Sequence, residues 1–359
     1  VPEKASIGDR RLAGTWNTAD MPPQRATLLQ VAQRAGVSRS TASFVLAGRH
    51  VDMRISEDAR QRVLRAAQEL DYRPNLMARS LRTKVTKTIA LVSDTLASDP
   101  YAGRAIHGAL AAAVAHGHLL FIGETEGETV IEEKLVSDFL DRQVDAFVYA
   151  SMFTRYVRVP KLLKGHPVVL LNCLTRAARP AYHSVIPDEV AAGWSAAKVV
   201  VEAGHREGIH LVGNPAHHVF AGRERLAGIR EGFAAAGIKL AGTIECEWWP
   251  DSAYEAVRAA LAAGPPPKAL ICLNDRVSLG AYQALREAGL DIPGDVSVLS
   301  FDDSDLAAWL RPQLTSISLP HYQLGWQAVE TLLEDAGRTE PTVRRVPMPV
   351  RYRASIGKP

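Results

Sequence analysis

The chain has 359 residues, 47% of them hydrophobic and 23% charged, which allows two or three domains with a sizeable core and excludes a disordered polymer. No apolar run approaches the roughly 20 residues of a membrane span, and the opening "VPEKASIGDRRLAGTWNTAD" lacks the apolar centre of a secretory signal. Net charge is only +3, but residues 25–87 hold 13 Lys/Arg against 5 Asp/Glu while residues 88–359 are net acidic. Such a split fits a phosphate-binding module on a mildly acidic body, although a solvated, charged helical surface gives the same count.

Residues 1–26 read as a flexible extension outside the fold. Thr27 is placed to cap a first helix, "LLQVAQRA", whose Leu28, Val31, Ala32 and Ala35 fall at helical spacing. Gly36 ends it, since glycine accepts the left-handed conformation of many helix ends. Val37 fills the turn, and Ser38 is placed to cap a second helix, "RSTASFVLA". Two short helices joined by a Gly-containing turn form a helix-turn-helix. A third helix after Ser56, "EDARQRVLRAAQELDY", buries Val63, Ala66, Ala67 and Leu70. Burying Ala42 and Val45 turns Ser38, Arg39, Ser40, Ser43 and Phe44 outward. In a DNA-bound helix-turn-helix the second helix lies in the major groove, where arginine can grip a guanine and an aromatic ring can rest on a thymine methyl. Arg39, Ser40, Ser43 and Phe44 supply those groups; similar turns also occur in proteins that never meet DNA.

The next stretch, "RPNLMARSLRTKVTK", allows a helix from Leu76 to Arg82 behind the fixed Pro74 and the N-cap candidate Asn75. At seven residues it is too short to be stable alone. Its Leu76, Met77 and Leu81 stand among Arg79, Arg82, Lys84 and Lys87. Folded against a partner copy, that segment suits an apolar wedge in the minor groove with cations on the flanking phosphates; a plain basic linker is the alternative.

From Thr88 onward apolar runs alternate with Ala-rich amphipathic stretches. Strands are predicted at 88–93, 119–123, 145–150, 168–172, 209–213, 269–273 and 296–300. That alternation implies parallel sheets covered by helices on both faces, and nearly 270 residues exceed one sheet, so two similar lobes are expected. Ligands sit beyond the carboxyl ends of such strands. Ser93-Asp94, Ser151, Asn172, Asn274-Asp275 and Asp302-Asp303 fall there. Asp275 and Asp303 serve equally well as helix caps. Enzyme motifs are missing: no P-loop, no Gly-x-Ser-x-Gly elbow and no His-Glu-x-x-His. The pairs His217-His218 and His116-x-His118 read as loop and surface positions. The three cysteines, Cys173, Cys246 and Cys272, are widely spaced with no Cys-x-x-Cys, which suits buried thiols in a reducing cytoplasm.

The segments "TLLQVAQRAGVSRSTASFVLAGR", "ISEDARQRVLRAAQELDYRPN" and "RPNLMARSL", in this order, resemble the LacI/GalR family of bacterial transcriptional regulators. The likeness runs through most of residues 27–356. It implies an all-α helix-turn-helix head plus an α/β, two-lobed, periplasmic-binding-protein-like effector domain with doubly wound parallel sheets. Arg39, Ser40 and Phe44 then stand at the main base-reading positions, Phe44 where arginine is frequent. Leu81 matches a minor-groove wedge, and Ala78 the small residue that lets two hinge helices approach. The implied DNA contacts are Thr27, Ser38, Arg39, Ser40, Thr41, Ser43, Phe44, Asn75, Ala78, Arg79, Leu81 and Arg82.

"DPYAGRAIHG" resembles the segment lining an effector cleft, with Tyr101 at an aromatic position, and "AGRERLAGIREGFAAAGI" places the effector arginine at Arg223. "CLNDRVSLGAYQALREAGLDIPGDVSVLSFDDSDLA" puts Asn274 and Asp302 at the cleft, and Trp249 falls at a stacking position, although core packing would also suit it. With Ser93, Asp94, Ser151 and Asn172 these form the expected effector site. Arg223 and Asp302 together suit the vicinal hydroxyls of a neutral sugar. The expected domains are 27–73 for the head, 74–87 for hinge and linker, and 88–359 for the effector domain. Its first lobe takes about 88–185 and 316–340, and its second about 186–315 and 341–356. The expected protein is a cytoplasmic homodimer, or pair of dimers, that binds a pseudo-palindromic operator, needs no cofactor, metal or membrane, and responds to a sugar. A two-lobed solute-binding protein without a DNA role is the alternative, with no use for residues 27–82.

Overall fold

The computed structural model describes residues 26–73, 84–97, 103–176, 179–214, 220–335 and 340–359. Contacts divide the chain between Val85 and Thr86 into two units. In the first, helices α1 (Leu28–Ala35), α2 (Arg39–Leu46) and α3 (Glu57–Glu69) enclose Val31, Ala32, Ala35, Ala42, Val45, Val63 and Ala66, with Leu28, Ala67 and Leu70 at the margin. So small a core depends on well-made helix ends. At the start of α1 the Gln30 amide donates to the Thr27 hydroxyl (3.3 Å), and the Thr27 amide donates to the Gln30 side chain (2.8 Å). This is a reciprocal capping box. Gly36 closes the helix at φ 64°. Ser38 and Ser56 accept from Thr41 and Ala59 at the starts of α2 and α3. The third helix stops at Glu69 rather than reaching Tyr72, because Asp71 turns into the left-handed region (φ 41°) and Tyr72 bonds back to the Ala67 carbonyl.

The second unit contains two six-stranded sheets of matching order. The first uses β1 (Thr88–Ser93), β2 (Leu119–Glu124), β3 (Ala146–Tyr156), β4 (Val168–Leu174), β5 (His183–Pro187) and β11 (Val343–Val346), arranged 11-5-4-3-1-2. The second uses β6 (Ile209–Val212), β7 (Gly242–Ile244), β8 (Ala269–Cys272), β9 (Ser297–Asp302), β10 (Thr315–Ser318) and β12 (Val350–Arg351), arranged 12-10-9-8-6-7. Pairing is parallel except between β10 and β12. Helices α4 (Gly103–Ala115) and α11 (His321–Asp335) cover one face of the first sheet and α5 (Thr129–Asp141) the other. In the second lobe α6 (Glu189–Glu202) and α7 (Phe220–Ala235) share one face, with α8 (Pro250–Ala263) and α9 (Asp275–Glu287) opposite. Covered on both sides, β1 is buried at every residue. A short helix, α10 (Asp305–Trp309), follows β9.

The chain passes between lobes three times: after Pro187, after Ser318 and after Val346. Two expected boundaries move accordingly. Residues 343–346 belong to the first lobe, because they pair with β5, and Thr315–Ser318 to the second, because they pair with β9. β3 also runs six residues past its expected end. Its register shifts between Ala150 and Arg155, and the half-exposed continuation carries Arg155 and Tyr156 to the space between the lobes.

Candidate functional site: a DNA-reading helix and an interlobe cleft

On the head, Thr27, Ser38, Arg39 and Ser40 are exposed, and Thr41, Ser43 and Phe44 half-buried. Thr27 and Ser38 are occupied as caps, and Ser38 also shares a hydroxyl contact of 2.8 Å with Thr41. The Arg49 guanidinium lies 5.7 Å from the Phe44 ring centre. The N-terminal turn of α2 thus presents Arg39 and Ser40 outward from a rigid, capped start. Asn75, Ala78, Arg79, Leu81 and Arg82, as well as Tyr101, lie outside the described residues.

In the body, the expected effector residues separate into two polar centres at strand ends. In the first lobe Asp94 accepts from Ser151 Oγ (2.6 Å), the Met152 amide (2.9 Å) and Arg155 (2.8 Å). Asn172, held at φ 57°, accepts from Thr154 Oγ1 (3.0 Å) and donates to the Met152 carbonyl (3.3 Å). Ser93 Oγ is buried beside them without a protein partner among the described residues. These bonds knit the ends of β1, β3 and β4 into one rigid rim.

The second lobe is built around Arg225, a residue the sequence reading passed over. It is fully buried, donates to both oxygens of Glu189 (2.6 and 3.1 Å) and to the Leu273 carbonyl, and lies 3.5 Å from Asp302. Its guanidinium packs 4.6 Å from the Phe301 ring centre and 5.6 Å from Trp248. Burial pushes the Glu189 carboxyl upward and Arg225 pulls it back. The arginine beside Asp302 is therefore Arg225, and not the Arg223 expected to share a ligand with it. The reason is helical: residues two apart point to nearly opposite sides. Arg225 turns into the sheet, while Arg223 faces the cleft, 3.1 Å from Glu224 and 5.1 Å from the Phe220 ring centre. The signal was present two positions on, in the same "GRERLAG".

Four other residues singled out in the sequence have definite surroundings. Trp249 is 53% exposed, caps α8 and lies under Arg276, whereas its neighbour Trp248 is the tryptophan beside Arg225. Asn274 lends its side-chain oxygen to the Val277 amide as the cap of α9 (2.8 Å), so Asp275 does not cap. Asp275 is buried instead and accepts from the Ser304 amide and hydroxyl and from Ser316 Oγ; burial, reinforced by the charge of Asp302, raises its carboxyl to about 7. Asp303 holds Arg353 and Arg351. The three cysteines are buried and free, with Cys246 and Cys272 pushed up to about 11 and about 12 by burial. Among the described residues no group of three or more His, Cys, Asp or Glu could hold a metal, and no helix is long and apolar enough to cross a membrane.

Between the lobes opens a cavity of about 880 Å³. One wall is the first sheet: Arg155 and Tyr156 of β3, Leu174 at the end of β4 with Thr175 and Arg176, Ser184 and Ile186 of β5, and Val343 and Arg345 of β11. Register explains the grouping, since Val343 pairs with Ser184 and Arg345 with Ile186, two residues apart on one face. Phe220 and Arg223 in the first turn of α7 form the other wall. Contacts between the lobes among the described residues include the Tyr156 and Phe220 rings at 6.3 Å, Arg345 with Glu224 at 4.0 Å, and, outside the cavity lining, Arg104 with Asp305 at 3.0 Å.

A capped helix-turn-helix with an outward arginine, joined in one chain to a two-lobed α/β cleft, defines a DNA-binding transcriptional regulator with an effector-binding domain. The comparisons with known proteins agree. A family model described as bacterial regulatory proteins, lacI family, matches residues 27–75, and one described as a periplasmic binding protein-like domain matches residues 197–356. The HTH-type transcriptional regulator AscG of Escherichia coli K12 is 33% identical over 299 residues, covering 82% of this chain and 87% of that one. The ribose operon repressor of Haemophilus influenzae is 30% identical over 315 residues, covering 86% and 91%. Among solved structures, a complex of transcriptional regulator CelR with cellobiose superposes with a TM-score of 0.61 at 28% identity, covering 92% of this chain and all of that one. The chain belongs to the LacI/GalR family of transcriptional regulators.

Proposed function

We propose that the protein is an operator-binding homodimer, most simply a repressor, whose grip on DNA is set by a sugar or sugar derivative bound between the two lobes. The observation that carries this reading is the cleft itself: walls from both lobes, a volume within the range of small-molecule sites and cross-lobe contacts that tighten only when the lobes approach. A ligand that touches both walls binds the closed arrangement better than the open one, and only such a difference can shift the equilibrium. The ribose operon repressor and the regulator solved with cellobiose, both similar over most of the chain, support a sugar-like ligand. In this reading Arg39, Ser40, Ser43 and Phe44 read the major groove, Thr27, Ser38, Thr41 and Asn75 meet the backbone, and Arg79, Leu81 and Arg82 act at the minor groove with Ala78 at the two-fold contact.

The experiment is selection of a duplex from random DNA by the full chain, followed by titration with sugars and sugar derivatives. The expected result is a two-fold-related site bound by two chains and released, or tightened, by one class of ligand. A protein that enriches no sequence, or whose DNA affinity no cleft ligand changes, would refute the proposal. Arg39→Ala should lower specific affinity by about 1–3 kcal/mol and relax preference at one base pair, with a much smaller effect on random DNA.

A further inference from the structure

The cleft differs in one respect from a site built for a neutral sugar. Four arginines line it, Arg155, Arg176, Arg223 and Arg345, and no Asp or Glu stands among its lining residues. Behind this wall two carboxylates are within reach: Asp94 bonds Arg155 (2.8 Å), and Glu224 is shared between Arg223 (3.1 Å) and Arg345 (4.0 Å). Arg176 has its guanidinium over the Tyr156 ring at 5.2 Å and no carboxylate partner among the described residues. About two positive charges are therefore left facing the cavity. A neutral polyol filling this space would strip water from those guanidinium groups and return no charge, which is unfavourable. A phosphate monoester brings a charge of about −1.5 to −2 and three strong acceptor oxygens, matched to the fork of an arginine. The rest of the lining suits the body of such a ligand. Tyr156 and Phe220 offer aromatic faces, Leu174, Ile186 and Val343 apolar walls, and Thr175 and Ser184 hydroxyls.

From this wall, and resting on the reading of the cleft as the effector site, we infer that the effector is an anionic sugar, a phosphate monoester, held by arginines of both lobes. Arg155, Arg176 and Arg345 come from the first lobe and Arg223 from the second. The anion lies between two like-charged walls and screens their repulsion, so its binding energy is realised most fully in the closed arrangement. Charge on the ligand and closure of the cleft are thereby coupled.

The test uses the full chain in calorimetry and thermal-shift titrations with inorganic phosphate, glucuronate and matched pairs: ribose with ribose 5-phosphate, glucose with glucose 6-phosphate, fructose with fructose 6-phosphate. At least one phosphate ester should bind about tenfold or more tighter than its parent sugar, with inorganic phosphate competing and added salt weakening binding. Arg176→Ala and Arg345→Ala should each lower ester affinity by about tenfold, and Arg176→Lys by less, with folding checked by circular dichroism. Parent sugars binding as tightly as their esters would overturn the inference. So would glucuronate outcompeting every ester, failure of inorganic phosphate and all esters to bind, or arginine variants that bind esters unchanged. The same ligands added to the selected operator complex separate the two proposals. A neutral sugar that releases DNA while esters do not bind leaves the regulatory reading intact and removes this one; esters that bind through Arg176 and Arg345 without altering DNA affinity keep the anion site but overturn its role as the effector site, and the regulatory reading with it.

Discussion

The two lobes of the body share a strand order and a way of joining helices, yet they place their charged groups differently. In each, two helices on one face approach until glycine is required. A Cβ on Gly108 would stand 1.9 Å from the Tyr322 carbonyl, and one on Gly325 1.8 Å from that of Ala105. In the second lobe Gly193 would meet Arg225 at 2.1 Å and Gly228 would meet Val190 at 1.9 Å. At the strand ends the likeness stops. The first lobe leaves Arg155, Arg176 and Arg345 half in solvent on the cavity wall, whereas the second buries Arg225 with Glu189 and keeps one arginine, Arg223, at the opening. One scaffold thus supports two tasks: a wall that can meet a charged ligand, and a buried pair that fixes the geometry behind it.

That contrast breaks most easily at Glu189. Removing its charge in Glu189→Gln leaves Arg225 buried without its main counter-ion and should cost about 3–5 kcal/mol in chemical denaturation. Asp302, at 3.5 Å, recovers only part of this. The double variant Glu189→Gln/Arg225→Met should be markedly more stable than the sum of the two losses predicts, because the unpaired charge is gone. Arg176→Ala on the first wall is the counterpart and should leave stability within about 0.5 kcal/mol. Equal losses at both sites would erase the distinction between the lobes.

The shared part of the comparison sharpens through the helix contacts. Gly108→Ala and Gly193→Ala each force a methyl against backbone and should cost about 1–3 kcal/mol, the second also displacing the α7 backbone at Arg225 and lowering ligand affinity. Gly237→Ala is the control for backbone conformation alone: its φ is +69° with nothing within 4 Å, so its cost should be nearer 1 kcal/mol. Thermal or urea unfolding of the three variants ranks them. A control as damaging as the contact variants would mean that close approach is not what these glycines provide.

The same division explains what could be read from residues alone. The head was legible to its caps, since Thr27, Gly36, Ser38 and Ser56 act on groups three or four positions away, and local rules suffice. The strands of the body were legible where apolar runs are continuous, as in Thr88–Ser93. What escaped depends on contacts far along the chain. β11 is a four-residue run, mostly exposed, and only pairing with β5, some 160 positions earlier, makes it a strand and brings Arg345 to the cavity. Of the arginine wall only Arg223 was legible, through the family resemblance, because Arg155, Arg176 and Arg345 lie on separate elements that meet only in the folded sheet. Arg225 was missed for a finer reason: the sequence offered two arginines two positions apart, and only the rotation of α7 against its sheet decides which is buried.

The smallest effect expected at neutral pH concerns Asp275, and it appears as a slope. Its carboxyl is raised to about 7 by burial, with the charge of Asp302 adding to the shift, so the folded state holds this proton more tightly than the unfolded chain does. The stability it contributes is complete below the ordinary carboxylate range near 4 and declines as pH rises toward about 7. Asp275→Asn removes the titration while keeping one acceptor for the donors from Ser304 and Ser316. At neutral pH the relief of a buried charge offsets the lost acceptor, so the variant and the parent should melt at similar temperatures. Toward pH 4 the parent should gain on the variant, and the gap between their melting temperatures should widen steadily across that window. A gap that stays constant would mean that Asp275 keeps its ordinary acidity, and that the hydroxyls around it, with Arg225 beyond Asp302, compensate its burial in full.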